Sequence, residues 1–319
     1  MKTALVTGGC GFIGSHLIDR LLAEGYKVRN IDNLATGFEV HVAPHKGNPG
    51  FEDMRFDLSD LEATVKAMEG IEVVFHLAAN ADIRHGLEDT FRDLERNLHT
   101  TYNVLEAMRI GDVKEMIFSS SAAMYGDQEI FPTLEDAPKV QTSFYGASKL
   151  ACEAYIEAFC EAYGMRAWIF RFVSVVGERH PHGVTYDFVH KLLSNPKELE
   201  ILGDGTQRKS FLYIGDCIEG FLHAYHATKG KVNLFNIGTE ETMVVDRVAD
   251  IIIDEMGLRG VKRRYTGGRR GWIGDAPTVH LSIDKIKALG WSPQVGIEEG
   301  IRRTVRWLLA NQWIYERRR

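Results

Sequence analysis

The chain has 319 residues, with 38 lysines and arginines against 44 aspartates and glutamates, a net charge of −6 and 45% hydrophobic residues. It is about twice an ordinary domain, long enough for a sizeable core, and its acidic balance without any long single-sign block argues against a nucleic-acid backbone as partner. No apolar run approaches the roughly 18 residues of a membrane span, and the amino terminus breaks at Gly8-Gly9 before a signal-peptide core, so no membrane partner and no export are expected.

Up to Arg171 short β-rich runs alternate with helical stretches. Strands are predicted at Thr3 to Thr7, Lys27 to Asp32, Met54 to Asp57, Val73 to His76, Met116 to Ser119 and Trp168 to Arg171, and helices at Ile13 to Glu24, Phe91 to Arg109 and Tyr145 to Tyr163. Strand, helix, strand at this spacing predicts an α/β fold with a parallel, doubly wound, Rossmann-type sheet over residues 1–171. Beyond it the rhythm loosens into glycine-punctuated loops, strands near Phe211 to Tyr213 and Phe235 to Gly238, and helices at Asp216 to Ala227, Val245 to Met256 and Ile297 to Asn311. Residues 172–319 are therefore expected to form a smaller α/β lobe packed over a cleft and able to lend elements back to the first. The carboxyl-terminal arginines Arg302, Arg303, Arg306, Arg317, Arg318 and Arg319 read as a solvated helix end opposing its own dipole rather than as an anion-binding patch. Cys10, Cys152, Cys160 and Cys217 show neither metal nor disulfide spacing and fit a reducing cytoplasm.

In TALVTGGCGFIGSHL, Gly8, Gly11 and Gly14 follow a strand and open a helix with Phe12 and Ile13. Glycines there let the backbone turn and approach a pyrophosphate, and the helix amino terminus offers unpaired N–H groups. Asp32, followed by Asn33, ends the second strand, where a carboxylate accepts hydrogen bonds from both hydroxyls of an adenosine ribose and repels a 2′-phosphate. NAD is thus favoured over NADP. Asp57, before Leu58, reads either as a contact to the adenine edge or as a helix cap.

Tyr145 and Lys149 in FYGASK are four residues apart on one helix face, so the ammonium is expected near the phenol and to lower its pKa for acid–base work. Tyr225 and Lys229 repeat the spacing in YHATK, but no hydroxyl-bearing strand end precedes them. Tyr145 follows MIFSSS instead. Ser121 there is expected to donate a hydrogen bond to the reacting oxygen, with Ser119 and Ser120 finishing the strand.

With GGCGFIG, Asp32, HLAAN, Asn97, SSSAAMYG and YGASK in order, the chain resembles the extended short-chain dehydrogenase/reductase family, and within it the NAD-dependent nucleotide-sugar epimerases and dehydratases, nearest the UDP-glucose 4-epimerase type. The likeness extends through GDGTQRKSFLYIGDC, FNIGT, GDAP and LGWSP. It implies Ser121, Tyr145 and Lys149 as the catalytic set, and Leu77, Ala78, Ala79, Asn97 and Ser119 among the contacts to a retained NAD. The reaction it implies is transient oxidation at C4 of a UDP-linked sugar to a 4-keto intermediate and reduction from the opposite face. It also implies a homodimer built on the Phe91 to Arg109 and Tyr145 to Tyr163 helices.

The sequence departs from the family pattern at the substrate. Phe172 keeps its place after the sixth strand, but Ser174 stands where an asparagine is frequent; Lys209-Ser210-Phe211, preceded by Arg208, stands where Arg-Asp-Phe/Tyr is frequent, with Arg208 and Lys209 still able to bind the diphosphate; and Arg269 and Arg270 lie upstream of the expected arginine position, which is Trp272. Dehydratases of the family place an Asp-Glu pair after the active hydroxyl, and decarboxylases a Glu. Here Ala122 and Ala123 stand there, which leaves C4 epimerisation as the reaction these residues support. Val279 aligns with the position that limits room for a 2-N-acetyl group, so N-acetylhexosamine nucleotides are expected to be tolerated. A lyase or reductase of the same family, or a non-catalytic NAD-binding regulator, are the competing readings. His180 and His182 are two histidines without a third ligand at metal spacing, and no metal is expected.

Overall fold

The run TALVT is short, apolar and bounded by Gly8-Gly9, and it forms an interior strand of the molecule's largest sheet. The computed structural model describes residues 2–80 and 82–316. In chain order the strands are β1 Thr3–Thr7, β2 Lys27–Ile31, β3 Phe51–Met54, β4 Val73–His76, β5 Glu115–Ser121, β6 Arg166–Phe172, β7 Ser174–Val176, β8 Glu198–Ile201, β9 Arg208–Lys209, β10 Phe211–Tyr213, β11 Val232–Ile237, β12 Met243–Val244, β13 Lys262–Tyr265 and β14 Thr278–Val279. The helices are α1 Phe12–Ala23, α2 Leu61–Lys66, α3 Thr100–Ile110, α4 Phe144–Tyr163, α5 Gly183–Ser194, α6 Ile214–Ala227, α7 Val245–Glu255, α8 Asp284–Lys287, α9 Ile297–Ala310 and α10 Trp313–Glu316.

A seven-stranded sheet runs β11-β6-β5-β4-β1-β2-β3. Its β1/β2, β1/β4, β2/β3 and β4/β5 pairs are parallel, with Thr7 opposite both Ile31 and His76, and His76 opposite Phe118. The register brings the carboxyl ends of β1, β2, β4 and β5 to one edge, so the glycine loop, Asp32, Leu77 and Ser119 all emerge there. Burial on both faces explains the unbroken apolar run of β4. Leu5, Val74 and Phe118 pack with Val104, Met108 and Ile156 of α3 and α4 in the core on one face.

Contacts divide the chain into two units, and they are not contiguous. The first comprises the stretch ending at Met124, Phe144–Arg171 and Phe221–Phe235; the second comprises Tyr125–Ser143, Phe172–Gly220 and the chain from Asn236. In the second, β7 pairs with β10, β9 lies between β12 and β14, and β8 pairs with β13. Its helix α9 buries Ile297, Ile301, Val305 and Leu308, one stripe at helical period.

Three readings change. The third strand ends at Met54 rather than starting there, because it pairs with β2, Val28 opposite Phe51 and Ile31 opposite Met54; Asp57 lies in the loop beyond. The Phe91 to Arg109 stretch is not one α-helix: Leu94–His99 is a π-turn leading into α3, a feature frequent at functional sites. Arg302 and Arg306 are ion-paired rather than simply solvated. Arg302 meets Asp254, Glu255 and Glu298, and Arg306 meets Glu255, tying α9 to α7. Arg317, Arg318 and Arg319 lie outside the described residues.

Candidate functional site

The glycine loop folds back tightly. Gly8 has φ of +73°, and a Cβ on it would stand 2.9 Å from the Ala78 backbone; one on Gly14 would stand 2.3 Å from the Gly8 carbonyl oxygen. Those two positions let the chain turn and let α1 pack against β1. Gly11 differs. A Cβ there would meet only the Gly8 oxygen, at 3.1 Å, so bare backbone faces open space at the amino terminus of α1, the approach a pyrophosphate needs. Phe12 beside it is buried and Ile13 half-buried. Asn30, which sequence reasoning missed, tethers the loop by accepting from the Gly9 N–H at 3.0 Å while donating to Asp53 at 2.8 Å.

Asp32 is buried just past β2. Its Oδ2 accepts from the Cys10 N–H and its Oδ1 from the Leu34 N–H, both at 2.8 Å. Burial pushes this carboxyl up, opposed by those two bonds and by Arg55. Each oxygen retains a lone pair, which suits a pair of ribose hydroxyls. Asn33 donates to Asp57 at 2.5 Å, and Arg96 of the π-turn lies 3.6 Å from the same carboxylate. Burial would raise Asp57, but the bonds from Ser59 and Asn33 and the Arg96 charge hold it below the ordinary carboxylate range. Leu58 is buried and its carbonyl accepts from Asn103. Leu77 and Ala78 donate backbone N–H groups to the Thr7 hydroxyl, and Leu77–Asn80 remain half-buried along the sheet edge.

Ser121 closes β5 and Tyr145 opens α4, and the two side chains are hydrogen-bonded. Lys149 is one turn further on. It is 2% exposed, with Nζ 5.8 Å from the Tyr145 ring centre and 4.8 Å from that of Phe118, and it donates to the Ser119 carbonyl at 2.8 Å. The expected lowering of the phenol is not found. Burial pushes Tyr145 above its ordinary value, opposed by Ser121 and reinforced by Asp93 and Cys152, and burial likewise draws Lys149 down to about 8. Desolvation is the largest cause of both shifts.

Around this set lies a polar network that sequence reasoning missed. Asn97 donates to Ser148 at 2.8 Å, Ser148 donates to the Tyr145 carbonyl at 2.8 Å, and Asn97 also accepts from the Asn80 N–H. Behind the site, Ser120 donates to Glu153, whose carboxylate pairs with Arg171 at 2.6 Å in a bridge closed to solvent on both sides. Glu153 is four residues after Lys149, so helical spacing was a usable signal; nothing marked Arg171 as its partner. His76 bonds Thr7 and Thr101, stacks on Phe118 and is pushed down to about 3 by burial and by Lys149, so it is neutral.

Of the seven residues expected at the substrate, Ser121 lies in the first unit and the other six in the second. Lys209 opposes Val279 across β9/β14, and Ser174 opposes Phe211 across β7/β10; Phe172 is buried next to them in sequence. The basic groups are already engaged. Lys209 meets Asp275 at 2.7 Å, Arg270 meets Asp127 at 2.6 Å and the Asp275 carbonyl, and Arg208 reaches Thr242 at 3.2 Å. His180 and His182 stack edge to face in the loop before α5, and no group of three or more metal-ligating side chains occurs among the described residues.

A glycine turn on β1 and an acidic residue past β2, beside a tyrosine–lysine–serine cluster at the end of β5, define a Rossmann dinucleotide fold. The sequence pattern of the NAD dependent epimerase/dehydratase family matches residues 4–238, and the chain belongs to that family. A relative from Methanocaldococcus jannaschii named putative UDP-glucose 4-epimerase is 37% identical, over 96% of this chain and 98% of its own. The crystal structure of Thermus thermophilus UDP-glucose 4-epimerase with NAD superposes with a TM-score of 0.85 at 34% identity, covering 96% of this chain and 99% of that one. That of dTDP-glucose 4,6-dehydratase from Streptomyces venezuelae, also with NAD, gives 0.91 at 26% identity, covering 98% of each chain. The open face at Gly11 and the free lone pairs of Asp32 fit the cofactor named in the family's description.

Proposed function

We propose that the protein is a nucleotide-sugar 4-epimerase acting on UDP-linked hexoses, UDP-glucose/UDP-galactose or their 2-N-acetyl counterparts. The observation that carries this reading is the pair of methyl side chains directly after Ser121. Removal of water or carbon dioxide from a 4-keto sugar needs a further acid or base beside the tyrosine, and Ala122 and Ala123 can move no proton. Relatives named as epimerases support the same reading.

In this mechanism the glycine loop with Phe12 and Ile13, together with Asp32, Asn33, Asp57, Leu58, Leu77, Ala78, Ala79, Asn97 and Ser119, holds the cofactor. Bound NAD supplies a two-electron acceptor and donor that the side chains lack. Tyr145 takes the proton from the sugar 4-hydroxyl, Ser121 orients that oxygen by a hydrogen bond, and Lys149 stabilises the phenolate by its charge. The same phenol returns the proton once the flat 4-keto sugar has presented its other face, so no net redox occurs. Phe172, Ser174, Arg208, Lys209, Arg270 and Val279 are proposed to contact the nucleotide sugar.

The test is proton NMR of the purified protein with UDP-, GDP-, CDP- and dTDP-sugars without added NAD, beside Tyr145→Phe. A 4-epimer that forms with the wild type and not with the variant is expected. A 4-keto-6-deoxy or decarboxylated product would replace the epimerase reading by the lyase one that the dehydratase likeness favours. Turnover of UDP-glucose without any turnover of UDP-N-acetylglucosamine would remove the role given to Val279.

A homodimer is proposed on the aromatic face of α3 and α4, where Tyr102, Tyr155 and Tyr163 are exposed beside Leu94. A monomeric mass by light scattering at micromolar concentration would overturn it. The four cysteines are unpaired and buried, in keeping with a proposed cytoplasmic location, and no helix among the described residues is long and apolar enough to cross a membrane.

A further inference from the structure

Asp93 stands one residue before the π-turn and has no part in the chemistry above. Its side chain is 1% exposed. Oδ1 accepts from Asn80 at 2.8 Å and from Asn97 at 3.3 Å, and Oδ2 has no hydrogen-bond partner among the described residues. Asn97 continues through Ser148 to the Tyr145 carbonyl, so the carboxyl is linked to the first turn of α4 by three successive hydrogen bonds. Gly86 holds it from the other side: a Cβ there would lie 2.5 Å from Oδ2 and 3.3 Å from the Phe144 Cβ, so the carboxyl and the residue preceding Tyr145 flank one glycine. An acid kept dry with one oxygen unpaired costs stability. Its position beside the reacting phenol gives that cost a use.

We propose that Asp93 is a positioning residue of the Tyr145–Lys149 centre, whose buried carboxylate sets the local charge against which the phenol releases its proton and the ammonium keeps its own. The proposal rests on the acid–base role given to Tyr145 and Lys149. A negative charge here disfavours a second one on Tyr145 and favours the positive one on Lys149, and both groups feel Asp93 in those senses. Burial raises Asp93 itself, and the Asn80 and Asn97 bonds and the charges of Arg92 and Lys149 oppose that rise. The remaining groups are few. Facing Tyr145 are Ser121 from β5 and Cys152 from its own helix; facing Lys149 are neutral His76 from β4, and Cys152 and Glu153 from α4, Glu153 being paired with Arg171 of β6. Among the described residues, Asp93 is the carboxylate coupled to both members of the pair.

The experiment follows Lys149 by NMR in NAD-loaded protein with carbon-13-labelled lysine, assigned with Lys149→Met, across the pH range around 8. Asp93→Asn is expected to shift its titration down by about half a pH unit or more, while Asp93→Glu, which keeps the charge, restores the wild-type value within about 0.2 unit. Both pH limits of turnover are expected to move down with it, with KM little changed. A purely packing role for Asp93 would lower stability and leave the titration in place, and that outcome overturns the proposal, as does a carboxyl that is neutral throughout. Should Asp93→Asn not fold, Asp93→Ser, which also removes the charge and fits the same space, is expected to give a shift of the same sign, and its absence counts equally against the proposal. The titration needs no turnover. A shifted Lys149 without any 4-epimer would therefore sink the function proposed above and leave Asp93 in place.

Discussion

Tyr145 with Lys149 and Tyr225 with Lys229 are two copies of one spacing within the same unit, and the structure gives both nearly the same local geometry. Tyr145 is half-buried and Tyr225 buried, Lys149 is buried and Lys229 exposed, and each lysine nitrogen lies close over its ring, at 5.8 Å for Lys149 and 5.5 Å for Lys229. They differ in which end of β5 they meet. Tyr145 bonds Ser121, the strand's last residue, at the edge where the glycine loop and Asp32 emerge. Tyr225 donates at 2.5 Å to Glu115, the strand's first residue, which also pairs with Arg166 and lies 3.7 Å from Lys2. About 20 Å of strand separates the two phenols' partners. In a parallel sheet the carboxyl edge holds the loops that bind and react, and the amino edge is free for structural ties. Under the proposed function, what sets Tyr145 and Lys149 apart from the second tyrosine–lysine pair is therefore the strand end they face.

The sharpest way to break this comparison is to remove both hydroxyls. Tyr145→Phe is expected to lower turnover by about a thousandfold or more with NAD still bound, because the phenol is the proton carrier, whereas Tyr225→Phe should leave it within about twofold; equal losses, measured by NMR on the same sugar, would erase the distinction. Exchanging the lysines comes next. Lys149→Met should cost roughly a hundredfold in turnover, and Lys229→Met should be silent in the same assay.

The pH response sharpens the same contrast. Burial draws Lys149 down to about 8, so turnover that needs its ammonium is expected to fall as pH rises through that value, and Lys149→Met should lose this limb from its residual rate. The stability sign is opposite to that of a lysine raised by a carboxylate partner, such as Lys66 beside Glu62. With the folded value below the unfolded one, the unfolded chain binds more protons between them, so Lys149's unfavourable contribution is complete below about 8 and is relieved as pH climbs toward 10.5. Comparing wild type and Lys149→Met by denaturant unfolding across that window tests it; a difference independent of pH would contradict the assignment. The smallest effect belongs to Tyr225. Tyr225→Phe leaves Glu115 with one donor fewer and should cost about 1–2 kcal/mol in the same unfolding experiment, with activity intact.

Where a pattern is local, the sequence reads well. The β1 and β4 boundaries agree residue for residue, and α1 and α4 are each displaced by one residue at the start, because a short apolar strand or a periodic helix announces itself over its own length. The third strand reads three residues late because Met54-Arg55-Phe56-Asp57 alternates apolar with polar whereas Phe51-Glu52-Asp53-Met54 does not, and only pairing with β2 selects the latter. Helix α5 is hidden in a stretch dominated by Pro181 and Gly183, although Thr185, Tyr186, Phe188, Val189 and Leu192 form its buried face.

The ingredients of the site were legible because each meets a fixed local demand, with glycine where a turn needs positive φ or close approach, an acid at a strand end, and a tyrosine and lysine one helical turn apart. Their partners were not legible. That Asp275 neutralises Lys209, that Arg171 closes on Glu153 and that Asp93 hangs from Asn80 and Asn97 depend on segments far apart in the chain meeting in space. By itself the sequence determined the fold class, the cofactor loop and the candidate acid–base residues, since these follow from periodicity and from the chemistry of single side chains. Only the tertiary structure decided the direction in which Tyr145 is shifted and that Tyr225 is tied to Glu115 at the other end of β5, because desolvation and strand polarity belong to the packed whole.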